Sequence, residues 1–172
     1  VIGAYLDDDG GTWSGSAYFC RTTDGGATYG QIAKLTVSDA AAYDYFGRSV
    51  AIDGTTIVAG AYGDDDGGSS SGSVYVFLTT DGGATYGQVA KLTASDGASM
   101  DYFGWSVAID GDTVVVGASI DDDAGDHSGS VYVYRTTDGW GTYTEIKLTA
   151  ADAAADDGFG WPAAIDGATI VV

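Results

Sequence analysis

Three runs of consecutive aspartates are the residues of this sequence best suited to chemistry. Each run is followed mostly by small residues, and the runs are Asp7, Asp8 and Asp9, then Asp64, Asp65 and Asp66, then Asp121, Asp122 and Asp123. Hard cations such as calcium take about six to eight oxygen ligands, several of them carboxylates on a flexible loop. The runs are therefore candidate calcium ligands. The alternative is a solvated acidic surface, because consecutive aspartate side chains diverge and calcium loops usually space their acids at alternate positions.

Groups suited to catalysis are few. His127 is the only histidine of the chain and Glu145 the only glutamate. Neither a zinc-binding spacing nor a glycine-rich phosphate loop opening a helix is present. We therefore expect a non-enzymatic stretch with no cofactor other than calcium.

The charge of the chain restricts its partners. Twenty-five acidic residues stand against six basic ones, which gives a formal net charge of −19. Such a charge repels nucleic acid and anionic membrane surfaces. No apolar run approaches the ~18 residues that a transmembrane helix needs. A protein or a glycan is the expected partner, and no nucleic acid or membrane insertion is expected in this segment.

The chain is built from one repeated unit. Ser14, Ser71 and Ser128 open the same Ser-Gly-Ser motif at equal intervals, and Phe46, Phe103 and Phe159 open a Phe-Gly pair at almost the same interval. A fixed period of this kind, here ~57 residues, is typical of solenoids, propellers and arrays. The whole chain is therefore interpreted as about three copies of one supersecondary element.

Each copy predicts four antiparallel strands. An Asp-Gly pair between two short apolar runs is a strong hairpin signal, and the central runs are apolar on both faces. Four such strands form a blade of a β-propeller, in which neighbouring blades cover both faces. The predicted fold is thus an all-β partial propeller. We expect strands two to four of a first blade in residues 1–45, a second blade in 46–102, a third in 103–158, and two strands of a fourth in 159–172.

The same motifs resemble a known family, the FG-GAP repeat of integrin α-chain propellers, in its non-integrin branch. The signature residues are Phe46, Gly47, Gly60, Ala61, Phe103, Gly104, Gly117, Ala118, Phe159 and Gly160. The proline of the family name is absent. Tyr5, Tyr62 and Ser119 stand at its position. Propellers of this type have about six or seven blades, so the resemblance implies that further sequence or other copies supply the rest.

A second resemblance concerns the turn between the third and fourth strands. Thr22-Thr23-Asp24-Gly25 and its copies resemble the Asp box of sialidases and other propellers. In that family the aspartate locks the turn, which implies a structural role for Asp24, Asp81 and Asp138. Sialidase chemistry would need a cluster of arginines, and only Arg21, Arg48 and Arg135 are present.

Topology predicts where function lies. In an up-and-down blade, the loops between the second and third strands emerge on the same face as the connections between blades. That face would collect the aspartate runs together with Tyr43, Tyr45 and Tyr102, and we expect the latter two tyrosines to pack between blades.

The favoured hypothesis is a binding or adhesion module, extracellular or at the cell surface, that presents this acidic face to a protein or glycan, with calcium as a possible aid. The alternative is part of a propeller hydrolase whose catalytic residues lie on blades outside this stretch.

Overall fold

The computed structural model describes all 172 residues and is an all-β structure of thirteen strands. It contains no helix of the length and hydropathy needed to cross a membrane. The strands are β1 (Ile2–Ala4), β2 (Ser16–Arg21), β3 (Gly30–Leu35), β4 (Ser49–Asp53), β5 (Thr56–Ala61), β6 (Ser73–Leu78), β7 (Gly87–Leu92), β8 (Phe103–Asp110), β9 (Thr113–Ala118), β10 (Ser130–Thr136), β11 (Tyr143–Leu148), β12 (Ala164–Asp166) and β13 (Thr169–Val171).

The strands form four antiparallel sheets in simple sequence order. Two of them have four strands, β4-β5-β6-β7 and β8-β9-β10-β11, while β1-β2-β3 forms a three-stranded sheet and β12-β13 a hairpin. This confirms the predicted all-β class with propeller-type blades. The exact blade boundaries given above remain predictions.

The central strands bury both of their faces, for a reason that strand geometry supplies. Successive side chains of a strand point to opposite faces. In β5, Val58 joins a core cluster shared with the third sheet, whereas Ile57 and Ala59 join a second cluster shared with the first sheet. All three are fully buried. Continuous apolar runs are therefore what a strand between two neighbouring sheets requires.

The Phe-Gly and Gly-Ala pairs meet where neighbouring sheets come closest. Phe46 and Phe103 are completely buried. The hydroxyl of Ser49 donates to the carbonyl of Gly104 at 2.8 Å, which holds β4 against the start of β8. A Cβ added to Gly60 would overlap that same carbonyl oxygen. The signature glycine is thus required because two backbones occupy the space of a side chain.

This close approach predicts that Gly60→Ala lowers the free energy of unfolding by about 3 kcal/mol, since the added methyl group cannot be accommodated without moving backbone. The matched control is Gly87→Ala in β7, where an added Cβ would meet nothing within 4 Å. Removing a strand glycine there should be neutral or mildly stabilising. Chemical denaturation of both variants measures the difference, and equal stabilities would contradict the steric account.

Candidate ligand-binding face

Two kinds of loop form one face of the molecule, called here the loop face. The in-blade loops are residues 5–15, 62–72 and 119–129, and the connections between sheets are residues 36–48, 93–102 and 149–163. Backbone hydrogen bonds join the two kinds: Tyr43 N–H donates to the Thr12 carbonyl at 2.8 Å, and Met100 N–H donates to the Ser69 carbonyl at 2.8 Å. The loops therefore support one another rather than projecting singly.

The three aspartates of each run have different tasks. In the middle run, Asp64 is buried and accepts a hydrogen bond from the Tyr75 hydroxyl at 2.9 Å. Asp65 turns back to its own loop and accepts the Ser70 N–H at 2.7 Å. Asp66 is exposed and forms a salt bridge with Lys91 at 2.6 Å. The third run repeats this arrangement, and the first run repeats its contacts with a partly buried Asp7.

A lysine ammonium lies where the first and third aspartates of each run converge. Lys91 Nζ lies 2.9 Å from both Asp39 and Asp64, in addition to its contact with Asp66. Asp39 belongs to the connection that leaves the first sheet, so Lys91 ties two neighbouring sheets together. Lys147 repeats this with Asp96, Asp121 and Asp123, and Lys34 with Asp7 and Asp9. Every lysine of the chain is thus enclosed by carboxylates.

The enclosure changes the protonation equilibria of its members. Partial burial by itself would lower the pKa of Lys91, but its carboxylate partners and the Tyr75 hydroxyl raise that pKa above its usual value. Desolvation raises the pKa of Asp39, yet the hydrogen bond from Lys91, the positive charge of that lysine and further hydrogen bonds together leave the pKa below its usual value. Both groups are therefore charged at neutral pH, and the cluster is stabilised by ion pairing.

This geometry bears on the predicted calcium ligands. The structure brings together two of the three aspartates in each run and supplies an ammonium as the cation. Asp39 and Asp96 join the second and third clusters from neighbouring connections. Three carboxylates of the Lys91 cluster have oxygens within 4.8 Å of one another, a spacing that a metal ion could also use. Calcium ligation by the runs stays a prediction, and the lysine competes with it for the same oxygens.

The lysines were missed by sequence reasoning, although a signal was available. Lys34, Lys91 and Lys147 follow one another at the same intervals as the three Phe-Gly pairs. A cation held at a fixed repeat position, among so many aspartates, indicates a repeated ion pair.

The predicted turn aspartates lie on the opposite face. Asp81 accepts hydrogen bonds from the hydroxyls of Thr79 and Thr85 at 2.7 and 2.6 Å, and from the Thr85 N–H at 2.9 Å. Asp24 and Asp138 accept the equivalent bonds. Hydrogen bonds from these threonines lower the pKa of all three carboxyls. These contacts connect the two ends of each turn, and the Asp-box role of the three residues stays a prediction.

A row of aromatic side chains crosses the loop face. The rings of Tyr45 and Tyr62 stack with centroids 4.9 Å apart and an interplanar angle of 3°. Tyr62 also meets Tyr102 at 5.3 Å and Trp105 at 4.9 Å. Tyr45 and Tyr102 are half-buried, and their predicted packing between blades is confirmed. Tyr43 extends the row outwards and remains exposed.

Comparison with protein families agrees with this architecture. The model of the FG-GAP repeat matches residues 29–77, 86–134 and 143–172, which together are more than half of the chain. The chain belongs to the FG-GAP repeat family. No curated protein matches it with significance. Each matched FG-GAP segment begins in or near the Asp-box-like turn and runs through the next Phe-Gly pair, so the match spans the junctions between sheets.

The lysine clusters of this FG-GAP chain predict a specific response to cations. Lys91→Ala should lower stability by about 2 kcal/mol, because it leaves three carboxylates without their counter-charge. Lys34→Ala is the matched control and should cost less, since only two carboxylates, those of Asp7 and Asp9, pair with that lysine. Thermal melting in calcium, magnesium and chelator should show small, equal shifts for the unaltered protein and a larger rise with calcium for Lys91→Ala.

A calcium-selective rise in the unaltered protein would contradict this expectation. It would instead support ligation of calcium by the aspartate runs.

Proposed function

We propose that this FG-GAP chain is a non-catalytic binding or adhesion module whose loop face binds a positively charged region of a partner protein. One observation carries the proposal: all three lysines are enclosed within the loop face, while exposed carboxylates remain at its surface. These include Asp65, Asp122, Asp126, Asp152 and Asp156. The face is therefore acidic towards solvent, although its interior charges are paired.

Long-range charge supports the same conclusion. A net charge of −19 on a chain of this size attracts basic surfaces and speeds their association. Loops held on a rigid β-scaffold are the usual place for recognition residues. An extracellular or cell-surface location is part of the proposal, and the resemblance to adhesion-protein propellers supports it.

The test compares two charge-matched variants. Asp126→Asn/Asp156→Asn removes two exposed charges from the loop face, and Asp112→Asn/Asp166→Asn removes two from the hairpin turns of the opposite face. The probe is an immobilised peptide of lysine and glycine, with a neutral oligosaccharide series in parallel. We expect the loop-face variant to bind the peptide about threefold more weakly and the control variant to bind it unchanged, with affinity falling as salt rises.

Equal weakening by both variants would overturn the proposal, because it would mean attraction by net charge alone. Binding to the neutral oligosaccharides without binding to the peptide would overturn the choice of a protein partner in favour of a glycan.

A further inference from the structure

We propose that a tyrosine-walled pocket on the loop face, above the second sheet, binds a cationic amine group. The inference rests on the proposed function, and it names the chemical group of the basic partner that enters the pocket. The pocket has a volume of about 390 Å³, within the range of small-ligand sites. Its walls include Tyr43, Tyr45, Tyr62, Tyr102, Asp65 and Ser70.

The lining has the composition of a cation-binding cage. Aromatic ring faces attract ammonium groups, and aromatic cages are the recurring receptors for methylated and quaternary amines. Asp65 adds a carboxylate, of which one oxygen accepts the Ser70 N–H and the other has no protein partner. The hydroxyls of the four tyrosines also form no hydrogen bonds within the protein, in contrast to the buried hydroxyls of Tyr75 and Tyr132.

The backbone holds the pocket side chains in fixed positions. Tyr43, Tyr45 and Tyr102 have φ values of +73°, +56° and +58°, and Ser70 has +52°. Glycine adopts this left-handed conformation at little cost, whereas a tyrosine there is unfavourable. Met100 and His127, the equivalent residues of the next copy, have φ values of +75° and +53°. The repeat therefore imposes this conformation, and it presents the tyrosine rings of the pocket on a rigid backbone.

The tyrosine lining is reduced in the next copy of the repeat. At the equivalent place above the third sheet, the positions of Tyr43, Tyr62 and Tyr102 are taken by Met100, Ser119 and Gly158. The loop carboxylate is kept there as Asp122, and of the four tyrosine positions only that of Tyr45 keeps its ring, as Tyr102. The place above the third sheet therefore keeps the carboxylate without the tyrosine walls, which makes it the matched comparison for the pocket.

The probes are choline, its uncharged tert-butyl isostere, and ethanolamine, which carries the same chain on a primary ammonium. Binding is followed by the NMR shifts of the tyrosine rings. We expect choline to bind about tenfold more tightly than the isostere, the size of a cation–π contribution in a partly desolvated site. Tighter binding of choline than of ethanolamine would identify a methylated amine as the natural group, and equal binding a lysine-like amine.

Variants localise the site. Tyr43→Gly should abolish choline binding while leaving the melting temperature unchanged or higher, because it removes an exposed ring and relieves a strained backbone. Asp65→Asn keeps an oxygen for the Ser70 N–H and should weaken binding through charge alone. The matched controls are Met100→Gly and Asp122→Asn at the neighbouring junction, and both should bind choline normally.

Equal affinity for choline and its uncharged isostere would overturn the inference, as would unaltered binding by Tyr43→Gly and Asp65→Asn. In either case the proposed function would still stand if the loop-face charge variant weakened binding of the basic peptide. If both charge variants weakened binding of the basic peptide equally while choline still bound, the proposed function would be overturned. The inference about the pocket would then stand.

Discussion

The loop face depends on ammonium groups enclosed by carboxylates. Lys91 contacts Asp64 and Asp66 within its own sheet and Asp39 from the preceding connection, so one cation fixes both the fold of a loop and the position of its neighbour. Without that cation, the carboxylates would repel one another at a place where Asp64 is almost fully buried. The high aspartate content is therefore compatible with a compact face only because each cluster includes its own counter-charge.

This arrangement connects the regular core to the irregular surface above it. Below the loops, the buried Phe46 and Phe103 and the close approach at Gly60 fix the separation of neighbouring sheets. At the level of the loops, the lysine clusters continue the same contact between sheets. A scaffold fixed at both levels can hold tyrosines in left-handed backbone conformations that a mobile loop would relax. The strained, aromatic pocket is thus a consequence of rigidity elsewhere.

Much of the fold could be predicted from the sequence, and less of the site. The Phe-Gly spacing, the Asp-Gly hairpins and the doubly buried runs such as Val74–Phe77 determine strands and blades by local pattern, and local pattern is visible in one sequence. The lysine clusters depend on Asp39 meeting Lys91 across two sheets, 52 residues apart, which no local pattern expresses. The tyrosine pocket was missed for the same reason, because Tyr62 and Tyr102 are far apart in the sequence and their rings meet only in the folded loops.

The most direct test of the lysine clusters is an NMR titration of the Asp39 carboxyl carbon in the unaltered protein and in Lys91→Met. The account predicts a pKa below the usual aspartate value in the unaltered protein, and a higher pKa in the variant, where the carboxylates of Asp64 and Asp66 lie close by without the ammonium. A lowered folded-state pKa also means that the stability contributed by Asp39 is present above its unfolded pKa and is lost as the pH falls. The same pKa in both proteins would contradict the claim that the ammonium organises the loop face.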